Sequence, residues 1–354
     1  MTAAQTAPTV AVAVTVRKFA PDDAAAWDGF VRRDPQGTFF HLAGWRSVLE
    51  RAFGHRAHYL LAEDAQGICG VLPLAHVKSL LFGSALVSTP FCVYGGALAV
   101  APYVRALLED EACELARRLD VDYLELRNRE RSRPEWPSKD LYVTFRKRIE
   151  ADANRNLEAI PRKQRAMVRK AIGRELTVEI DGDCGRLYPA YAASLRNLGT
   201  PVFSRRYLEL LREVFADDCE VQTVLKDGRV LASVLSFYFR DEVLPYYGGG
   251  HREARNFGAN DFMYWKLMER AAVERGTRLF DYGRSKRDTG SYRFKVNWGF
   301  EPAPLHYEYF LVRAKSMPNL SPTNPKYRLM IAAWKRMPLW LAGLVGPPLA
   351  RHLG

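Results

Sequence analysis

The clearest pattern of apolar and polar positions lies between Leu244 and Pro302. An apolar, aromatic strand pattern stops at three glycines, and a polar loop then leads into a helix. The apolar stripe of that helix consists of Phe262, Trp265, Leu267, Met268 and Ala272. The helix ends near Gly276, and a short strand is predicted at Arg278–Gly283, followed by a polar, basic loop. This order predicts a β-α-β unit.

The first half of the chain predicts elements of the same kinds. In order, these are a strand at Val12–Phe19, helices at Pro21–Asp34 and Gly37–Phe53, strands at His58–Ala62 and Gly67–Val77, a strand, turn and strand from Phe82 that ends at Gly95-Gly96, a helix at Val104–Leu119 and a strand at Tyr123–Arg127. Strands and helices that alternate in this way are typical of a mixed α/β domain.

The two halves resemble each other in the order of their elements. The strand Gly228–Phe239 resembles Gly67–Val77, the PYYGGG segment resembles FCVYGG, and each glycine pair or triplet is followed by a helix and a strand. This predicts duplication of one α/β fold, although chance similarity is an alternative at this level of likeness. We expect an N-terminal domain at 12–150, a second domain at 151–315 and a C-terminal extension at 316–354, with the junction between Ile149 and Pro161.

Composition and charge narrow the class of protein. The chain has 354 residues, 48% of them hydrophobic, and a formal net charge of +12. It can therefore bury a large core, and its charge favours phosphate-rich or acidic partners such as nucleotides, tRNA or anionic lipid. The five cysteines are dispersed without metal-ligand spacing, which predicts reduced thiols, a cytoplasmic protein and no metal site.

Much of the positive charge lies in one predicted helix, Pro161–Glu175. Its apolar side is formed by Met167, Val168, Ala171 and Ile172, and its cations are Arg162, Lys163, Arg165, Arg169, Lys170 and Arg174. One interpretation is a solvated helix face. The other is a contact with phosphates, including a tRNA backbone, and for that contact Arg165 and Arg169 are candidate residues.

The ends of the chain show neither a secretory signal nor an apolar run of about 20 residues that could span a bilayer. The segment Tyr327–Leu353 mixes tryptophans with basic residues, and we expect its prolines to break it into short pieces. We expect it to pack on the domain core. Peripheral contact with the inner face of a membrane is the alternative hypothesis.

Several of these segments together resemble one protein family. They are the basic helix PRKQRAMVRKA, the FSRRYLELLREVF helix, the KDGRVLASVLSF strand, PYYGGG and FDYGRSKRDTGSYRFKVNWGFEP. From Val14 to Phe310 the chain is similar to the FemAB-like branch of the GNAT acyltransferase superfamily, and more narrowly to FemAB-like proteins associated with exosortase and exopolysaccharide systems. The resemblance implies two tandem GNAT-like domains with mixed α/β sheets.

The resemblance also implies an activity, the transfer of an acyl group to an amine. In such proteins the donor is an aminoacyl-tRNA, an acyl-CoA or an acyl-carrier protein, used as a cosubstrate with no tightly bound cofactor. The leading function is therefore aminoacyl or acyl transfer to an amine on a cell-envelope or exopolysaccharide precursor. The alternatives are an acyl-CoA- or carrier-protein-dependent N-acyltransferase and a non-catalytic protein that binds tRNA or a polysaccharide intermediate.

Some site residues follow from the resemblance. Phe294-Lys295 matches a family pair whose lysine holds the donor or stabilises charge, which a cation in a dry cleft does for an oxyanion; the alternative is a lysine that lies beside aromatic rings. Two further groups match less closely. They are the acceptor-side residues His41, Trp45 and Arg46, with His41 where relatives carry Gln, and the pyrophosphate-loop residues Arg255, Gly258 and Asn260, with Asn260 expected to cap the helix.

An amine must lose a proton before it attacks a carbonyl, so an acid or base is required. The candidates are Tyr247, at the glycine turn, together with Glu242, Asp281 and Tyr292. Asp281 has a structural alternative, an ion pair with Arg284 or Lys286, and Arg284 is itself a candidate substrate contact. Ser285 has no histidine nearby, which argues against a Ser/His triad.

Overall fold

The structure is a computed structural model that describes residues 13–79, 83–318 and 325–352. Within these ranges the α-helices are α1 (Ala24–Arg33), α2 (Gly44–Phe53), α3 (Pro102–Arg118), α4 (Ala153–Glu158), α5 (Arg162–Ile172), α6 (Leu187–Leu198), α7 (Arg205–Phe215), α8 (Ala254–Phe257), α9 (Ala259–Val273), α10 (Gly290–Asn297), α11 (Pro325–Arg336) and α12 (Leu339–Ala350). The predicted positions Val12, Phe82 and Leu353 lie outside the described residues.

The strands of the same ranges are β1 (Thr15–Lys18), β2 (Arg56–Ala57), β3 (Leu60–Asp64), β4 (Gly67–Leu72), β5 (Leu74–Ser79), β6 (Gly83–Ser88), β7 (Leu98–Ala99), β8 (Tyr123–Asn128), β9 (Ser138–Lys139), β10 (Tyr142–Arg148), β11 (Thr177–Asp181), β12 (Cys219–Lys226), β13 (Arg229–Phe239), β14 (Glu242–Gly250), β15 (Leu279–Asp281), β16 (Ser285–Lys286), β17 (Pro302–Pro304) and β18 (His306–Leu311). Their sheet orders are β1-β3-β4-β7, β2-β5-β6-β8-β18-β9 and β11-β12-β13-β14-β15-β10-β16, with β17 beside β10.

Each half of the chain contains one parallel strand pair joined by a helix. In the first half β6 pairs with β8 and α3 connects them; in the second half β14 pairs with β15 and α9 connects them. A parallel pair needs such a crossover, because its strands enter the sheet from the same end. The remaining ladders are antiparallel, so the predicted mixed α/β fold with two similar halves is confirmed.

The sheets also exchange strands between the two halves. We call β2-β5-β6-β8-β18-β9 the first sheet and β11-β12-β13-β14-β15-β10-β16 the second sheet. β10, which precedes the expected junction, pairs with β15 in the second sheet, where Arg146 lies opposite Asp281. β18, near the end of the second half, pairs with β8 in the first sheet, where His306 lies opposite Asn128. The division at 150/151 remains a proposal about sequence units, since the two larger sheets are each completed by a strand from the other side of that division.

The largest hydrophobic core is shared by both halves. It joins Phe39 and Trp45 of the first half to Phe215 and Phe237 of the second, and the rings of Phe39 and Phe237 stack with centroids 4.2 Å apart. Large aromatic side chains supply much of the apolar area buried in such a core. The two halves therefore pack on one another through a continuous interior.

The three glycines of PYYGGG lie inside β14, so the prediction that the strand stops before them was wrong. A Cβ atom on Gly249 would lie 2.5 Å from the carbonyl oxygen of Ala190 and 2.7 Å from Cβ of Ser194. Both are residues of α6, which packs directly on the strand at this point. Glycine permits this close approach of a helix to the strand backbone.

Three further local predictions were wrong. Phe294 and Lys295 lie in helix α10 rather than in a loop, because Thr289 caps a short helix there. Asn260 is not the cap of α9; Gly258 occupies that position with φ 64°, a left-handed conformation that glycine adopts without strain. Pro347 and Pro348 lie within α12 and do not break it.

Candidate functional site

A cavity opens where the two parallel strands of the second half separate. β14 and β15 pair only at Glu242–Leu279 and Val243–Phe280, after which β14 continues alone. Just beyond this point the register between β13 and β14 shifts, so that Tyr246 is the extra residue of a β-bulge. The cavity of about 230 Å³ is lined by Phe91, Val93, Phe203, Pro245, Tyr246, Tyr247, Tyr282, Gly283 and Arg284.

The first half contributes the loop 89–94 to this cavity. Thr89 and Phe91 have φ angles of 41° and 70°, a conformation that is costly for a bulky side chain. Three side chains hold successive carbonyls of the loop: Tyr246 donates to Phe91 O, Arg127 to Cys92 O and Tyr307 to Val93 O, each at 2.8 Å. The cavity wall is therefore fixed by residues from both halves.

Tyr247 is the acid–base candidate that the structure places in the cavity wall. Its hydroxyl lies 2.7 Å from the hydroxyl of Tyr207, and burial raises the pKa of both tyrosines well above 10. Both hydroxyls therefore stay protonated at neutral pH, and only one proton of the pair is used in the bond between them. The pair retains a hydroxyl proton that can be donated.

Lys295 is buried beneath the loop 282–284, which lines the cavity. Its Nζ donates to three consecutive carbonyls, those of Tyr282 (2.7 Å), Gly283 (2.9 Å) and Arg284 (3.0 Å). Three acceptors match the three N–H groups of an ammonium. Burial lowers the pKa of Lys295 to about 7, with nearby Asp281 acting in the opposite direction. In this geometry Lys295 fixes the loop that carries Arg284.

Arg284 presents its guanidinium at the cavity. Its Nη1 donates to the Tyr307 hydroxyl at 3.0 Å, and its Cζ lies 5.0 Å from the Tyr142 ring centroid. Among the described residues Arg284 forms no ion pair, whereas Arg146 is paired with both Asp281 and Glu242. A cation so placed favours an anionic group in the cavity.

Asp281 and Glu242 share Arg146 rather than facing the cavity. Arg146 pairs with Asp281 Oδ2 at 3.2 Å and with Glu242, whose pKa is raised by burial. Asp281 also accepts from Tyr94 (3.0 Å) and from the backbone N–H of Gly283 (2.7 Å). The partner of Asp281 is therefore Arg146, in place of the expected Arg284 or Lys286, and its carboxylate oxygens are engaged away from the cavity.

Two other candidates from the second half do not line the cavity. Tyr292 contacts the Phe145 ring edge-on at 5.4 Å, and Phe294 packs against Tyr264 at 5.5 Å between ring centroids. Both rings belong to the partly buried margin of the hydrophobic core beneath the second sheet. The structure places Tyr292 and Phe294 in packing positions.

The acceptor-side candidates lie in the first half. Trp45 is fully buried and donates to Phe39 O at 3.1 Å. His41 is also buried: its Nδ1 accepts from Thr38 N–H at 3.2 Å, so Nε2 carries the proton and donates to Gly96 O at 3.0 Å. Arg46 pairs with Glu50 at 3.4 Å. The structure does not bring these three residues to the cavity.

The pyrophosphate-loop candidates lie at the turn between α8 and α9, beside the basic helix α5. Arg174 donates to Asn256 O, and a Cβ on Gly258 would lie 3.3 Å from Cβ of Ala171. Asp261 is turned inward, since its Oδ1 accepts from Gln164 (2.5 Å) and Trp298 (3.3 Å). Arg255 and Asn260 are exposed at this turn. Most cations of α5, including Arg169, are exposed as well, whereas Arg165 is partly buried and donates a hydrogen bond to Glu158 O at 2.8 Å.

Sequence reasoning missed most of the cavity wall. Phe91 and Val93 belong to the FCVYGG segment, whose sequence pattern indicates only a counterpart of PYYGGG. Phe203 lies just before α7. The one sequence signal close to these missed residues is the predicted Tyr247, which is adjacent to Tyr246.

Within the described residues there is no cluster of His, Cys, Asp or Glu suited to a metal ion, and none of the helices has the length and apolar character needed to cross a membrane.

Comparisons with known proteins agree with this geometry. Residues 156–296 match the family model of the acetyltransferase (GNAT) domain. The structure of FemX is similar at 16% identity over 90% of this chain and 100% of that chain, with a TM-score of 0.65. A tandem GNAT protein from the clavulanic acid biosynthesis pathway is similar at 14% identity over 86% and 100% of the two chains, with a TM-score of 0.53.

The C-terminal domain of a putative lysylphosphatidylglycerol synthetase from Agrobacterium fabrum is similar at 13% identity over 81% of this chain and 91% of that chain, with a TM-score of 0.55. None of the curated proteins matches the chain. At such identities the structural likeness describes the fold. Residues 156–296 in the second half of the chain are thus similar to a GNAT acetyltransferase domain, and the whole has the mixed α/β fold of two tandem GNAT-like domains.

Proposed function

We propose that the protein transfers an acyl or aminoacyl group to an amine on a cell-envelope or exopolysaccharide precursor, with the reaction in the cavity between β14 and β15. The observation that supports this most directly is the separation of those two strands beside the bulge at Tyr246, within a GNAT domain. The gap admits an extended acyl chain between strands that would otherwise be hydrogen-bonded to each other.

The reaction requires one bond to form and one to break. The amine nitrogen attacks the carbonyl carbon of an ester or thioester, the C–O or C–S bond breaks, and the amine proton leaves to solvent or to the departing group. The Tyr247–Tyr207 pair is placed to give a proton to the departing alkoxide or thiolate and to recover one from the amine through water. The aromatic cavity wall excludes bulk water from this step.

Lys295 contributes by holding the loop 282–284 in our proposal. Its three carbonyl bonds leave no N–H for an oxyanion unless one of them is exchanged during the reaction. Its positive charge lies beneath the loop that lines the cavity and favours an anionic group there. Lys295 is thus a positioning residue for Arg284.

The donor approaches the α8–α9 turn and the basic helix α5 in this proposal. Asp261 is held inward by Gln164 and Trp298, so its carboxylate does not block an anion at the start of α9. The exposed cations of α5 extend the same surface, which suits an aminoacyl-tRNA better than a compact CoA. An acyl-CoA or acyl-carrier-protein donor is the second candidate, supported by the acetyltransferase family match.

The location that we propose is the cytoplasmic side of the cell membrane, in association with an exosortase or exopolysaccharide system. The helices α11 and α12 present exposed apolar side chains next to Lys335 and Arg336, a combination that favours contact with anionic lipid. FemX and the C-terminal domain of the putative lysylphosphatidylglycerol synthetase share the fold with this chain.

A donor-binding panel tests the proposal. Acetyl-CoA, a longer acyl-CoA and a mixed aminoacyl-tRNA pool are titrated calorimetrically into the protein at two salt concentrations. We expect tRNA binding that weakens with salt and falls further when Arg165 and Arg169 are replaced by Gln, with Lys266→Gln as the control on another helix. Salt-resistant micromolar binding of a CoA would select the second donor. A protein that binds tRNA yet transfers nothing would be the non-catalytic alternative.

Turnover of Lys295→Met separates an enzyme from a binding protein. Acyl transfer from the bound donor to hydroxylamine, a small amine, is expected to fall by about 10²-fold, because the cavity loop loses its anchor and the site loses a cation. The far-ultraviolet circular dichroism should stay unchanged. Unchanged turnover would remove Lys295 from the mechanism, and a Lys18→Met variant, which changes an exposed lysine on β1, serves as the control.

A further inference from the structure

Helix α12, near the end of the chain, packs behind the wall of the cavity. Its backbone comes so close that a Cβ atom on Gly346 would lie 2.9 Å from Cγ1 of Val202 and 3.0 Å from the backbone nitrogen and oxygen of that residue. Glycine permits this approach because it has no side chain. Val202 directly precedes Phe203, which lines the cavity. The helix therefore supports the segment that carries one aromatic residue of the wall.

The end of α12 reaches the same wall a second time, through His55. The Nε2 of this buried histidine donates to the carbonyl oxygen of Arg351 at 2.7 Å. The His55 ring also stacks on the ring of Phe91, with centroids 5.9 Å apart and planes inclined by 13°. Phe91 lines the cavity and has a φ angle of 70°, a conformation that persists only when the surroundings hold it. His55 is one of the residues that hold it.

The two supported side chains, Phe91 and Phe203, meet in one aromatic group. Their rings are in edge contact at 5.4 Å, and Phe53 at the end of α2 lies 4.4 Å from the first and 5.6 Å from the second. Phe203 is in turn 5.9 Å from the ring of Tyr247, the acid–base candidate. Close-packed side chains transmit a displacement to their neighbours. A shift of α12 should therefore reach the cavity.

We propose that α12 positions the aromatic wall of the cavity for acyl transfer through two α12 contacts, the packing of Gly346 on Val202 and the hydrogen bond from His55 to Arg351. This inference rests on the proposed acyl transfer and deepens it. His55 and Gly346 do not line the cavity, so they act through Phe91 and Phe203 as positioning residues. Misplacement of reacting groups by about 1 Å can cost about 10²-fold in rate.

The contact made by His55 depends on pH. Burial lowers the pKa of His55 to about 4, and the charged or titratable groups that face it are Arg351, His352 and, on β5, His76. A histidine released to solvent has a pKa of about 6.5. The released state therefore binds more protons between these values, so docking of α12 is strongest above about pH 6.5 and weakens as the pH falls towards 4. Burial lowers the pKa of His352 and His76 as well, and both act in the same direction.

Two glycines of α12 provide a matched pair of full-length variants. Gly346→Ala forces the helix away from Val202, whereas Gly343→Ala, whose Cβ would lie 3.7 Å from the Tyr188 hydroxyl, is tolerated and serves as the control. Both changes favour the helix equally. Hydrogen exchange by mass spectrometry is measured for α12 and for the loop 89–94. We expect Gly346→Ala to increase exchange in both segments, and Gly343→Ala in neither.

Acyl transfer to hydroxylamine is measured on the same variants. We expect Gly346→Ala to lower kcat by about tenfold or more, because the cavity wall is displaced. Donor affinity should stay unchanged, since the proposed donor surface lies on α5 and the α8–α9 turn. This separation of kcat from donor binding is the result that a positioning role requires.

A second pair of variants changes His55. His55→Gln keeps an N–H donor close to the place of Nε2, whereas His55→Leu has none. We expect His55→Leu to reproduce the faster loop exchange and the lower kcat of Gly346→Ala, and His55→Gln to stay near wild type. The decrease of kcat between about pH 7 and about pH 5 should also be smaller in His55→Gln than in wild type.

The exchange data and the turnover data can each overturn the proposal. Loop exchange that is equal in wild type, Gly346→Ala and His55→Leu, or faster exchange that is confined to α12, would show that the helix does not hold the wall. Faster loop exchange with an unchanged kcat would remove α12 from the reaction. A wild-type protein that transfers no acyl group rejects the proposed function itself, while the exchange data still decide whether α12 holds the loop.

Discussion

Lys295, Asp281 and His41 are buried polar residues whose hydrogen-bonding atoms are satisfied by neighbouring groups. Lys295 donates to three carbonyls, Asp281 accepts from Tyr94 and Gly283 and pairs with Arg146, and His41 uses both ring nitrogens. Removing one partner of a buried polar pair leaves the other unsatisfied at a cost of about 1–3 kcal/mol. Such residues therefore support the cavity wall and the shared core.

His41 provides a test of this at the level of pH. Burial lowers its pKa to about 4, whereas an unfolded histidine has a pKa of about 6.5. Between about pH 6.5 and pH 4, His41 is therefore protonated in the unfolded chain and neutral in the folded chain. The free energy of unfolding decreases as the pH falls through this range. Between pH 7 and pH 5 we expect His41 to account for about 2 kcal/mol of lost stability.

Urea unfolding of wild type and His41→Gln at several pH values measures this contribution. The variant should lose less stability than wild type on acidification, although His55 and His58, whose pKa values are also lowered to about 4 by burial, retain their share. His251→Gln, after β14, is the control. Parallel pH profiles of wild type and His41→Gln would show that His41 is protonated in the folded state.

At the scale of elements, α12 has an apolar surface on both sides. Its buried residues Ala342, Gly346 and Ala350 face the protein, where a Cβ on Gly346 would lie 2.9 Å from the side chain of Val202. Its opposite side exposes Trp340 by 72% and Leu344 by 67%. No residue of α12 is charged, while Lys335, Arg336 and Arg351 flank it. An exposed apolar side next to flanking cations is what the proposed membrane contact requires.

Co-sedimentation with vesicles tests the membrane proposal. Full-length protein should pellet with anionic vesicles, and a Trp340→Ser/Leu344→Ser variant should bind about tenfold less or weaker still, since two large apolar side chains are removed from the interface. Val100→Ser/Tyr103→Ser, which changes equally exposed side chains of the first half, is the control. A truncation after Pro325 that pellets as well as the full-length protein would exclude a role for α11 and α12.

At the scale of the whole molecule, strand exchange makes the two halves depend on each other. β10 pairs with β15, β16 and β17 in the second sheet, and β18 lies between β8 and β9 in the first. The cavity wall likewise combines Phe91 and Val93 with Tyr246 and Arg284. A strand removed from within a sheet leaves two unpaired edges, so the two larger sheets each depend on a strand from the other half, whereas β1-β3-β4-β7 lies within the first half.

Expression of residues 1–150 and 151–354 as separate chains tests this dependence. We expect neither piece to unfold cooperatively alone, and co-expression to give a complex that elutes as one species and regains the far-ultraviolet spectrum of the intact protein. A chain ending at residue 318, which keeps every strand of the sheets, is the control. Cooperative unfolding of the isolated 151–354 piece would contradict the prediction.

Much of the candidate site was beyond prediction from the sequence. Tyr247 and Arg284 were identified because they lie in motifs next to glycines and strand ends, and both line the cavity. Phe91, Val93 and Phe203 were missed, since nothing in their local pattern distinguishes a cavity wall from a core. Lys295 was identified, but its three carbonyl partners depend on the relation between α10 and the loop after β15.

The sequence by itself determined the kinds of element, their order and the likeness of the two halves, because apolar periodicity, glycines and caps act within a few residues of one another. It also determined the basic face of α5. Only the tertiary structure decided the exchange of β10 and β18, the pairing of Asp281 with Arg146 and the contact between the rings of Tyr142 and Tyr307. These contacts join residues far apart in the chain, and their partners are selected by how whole sheets pack, which no local pattern encodes.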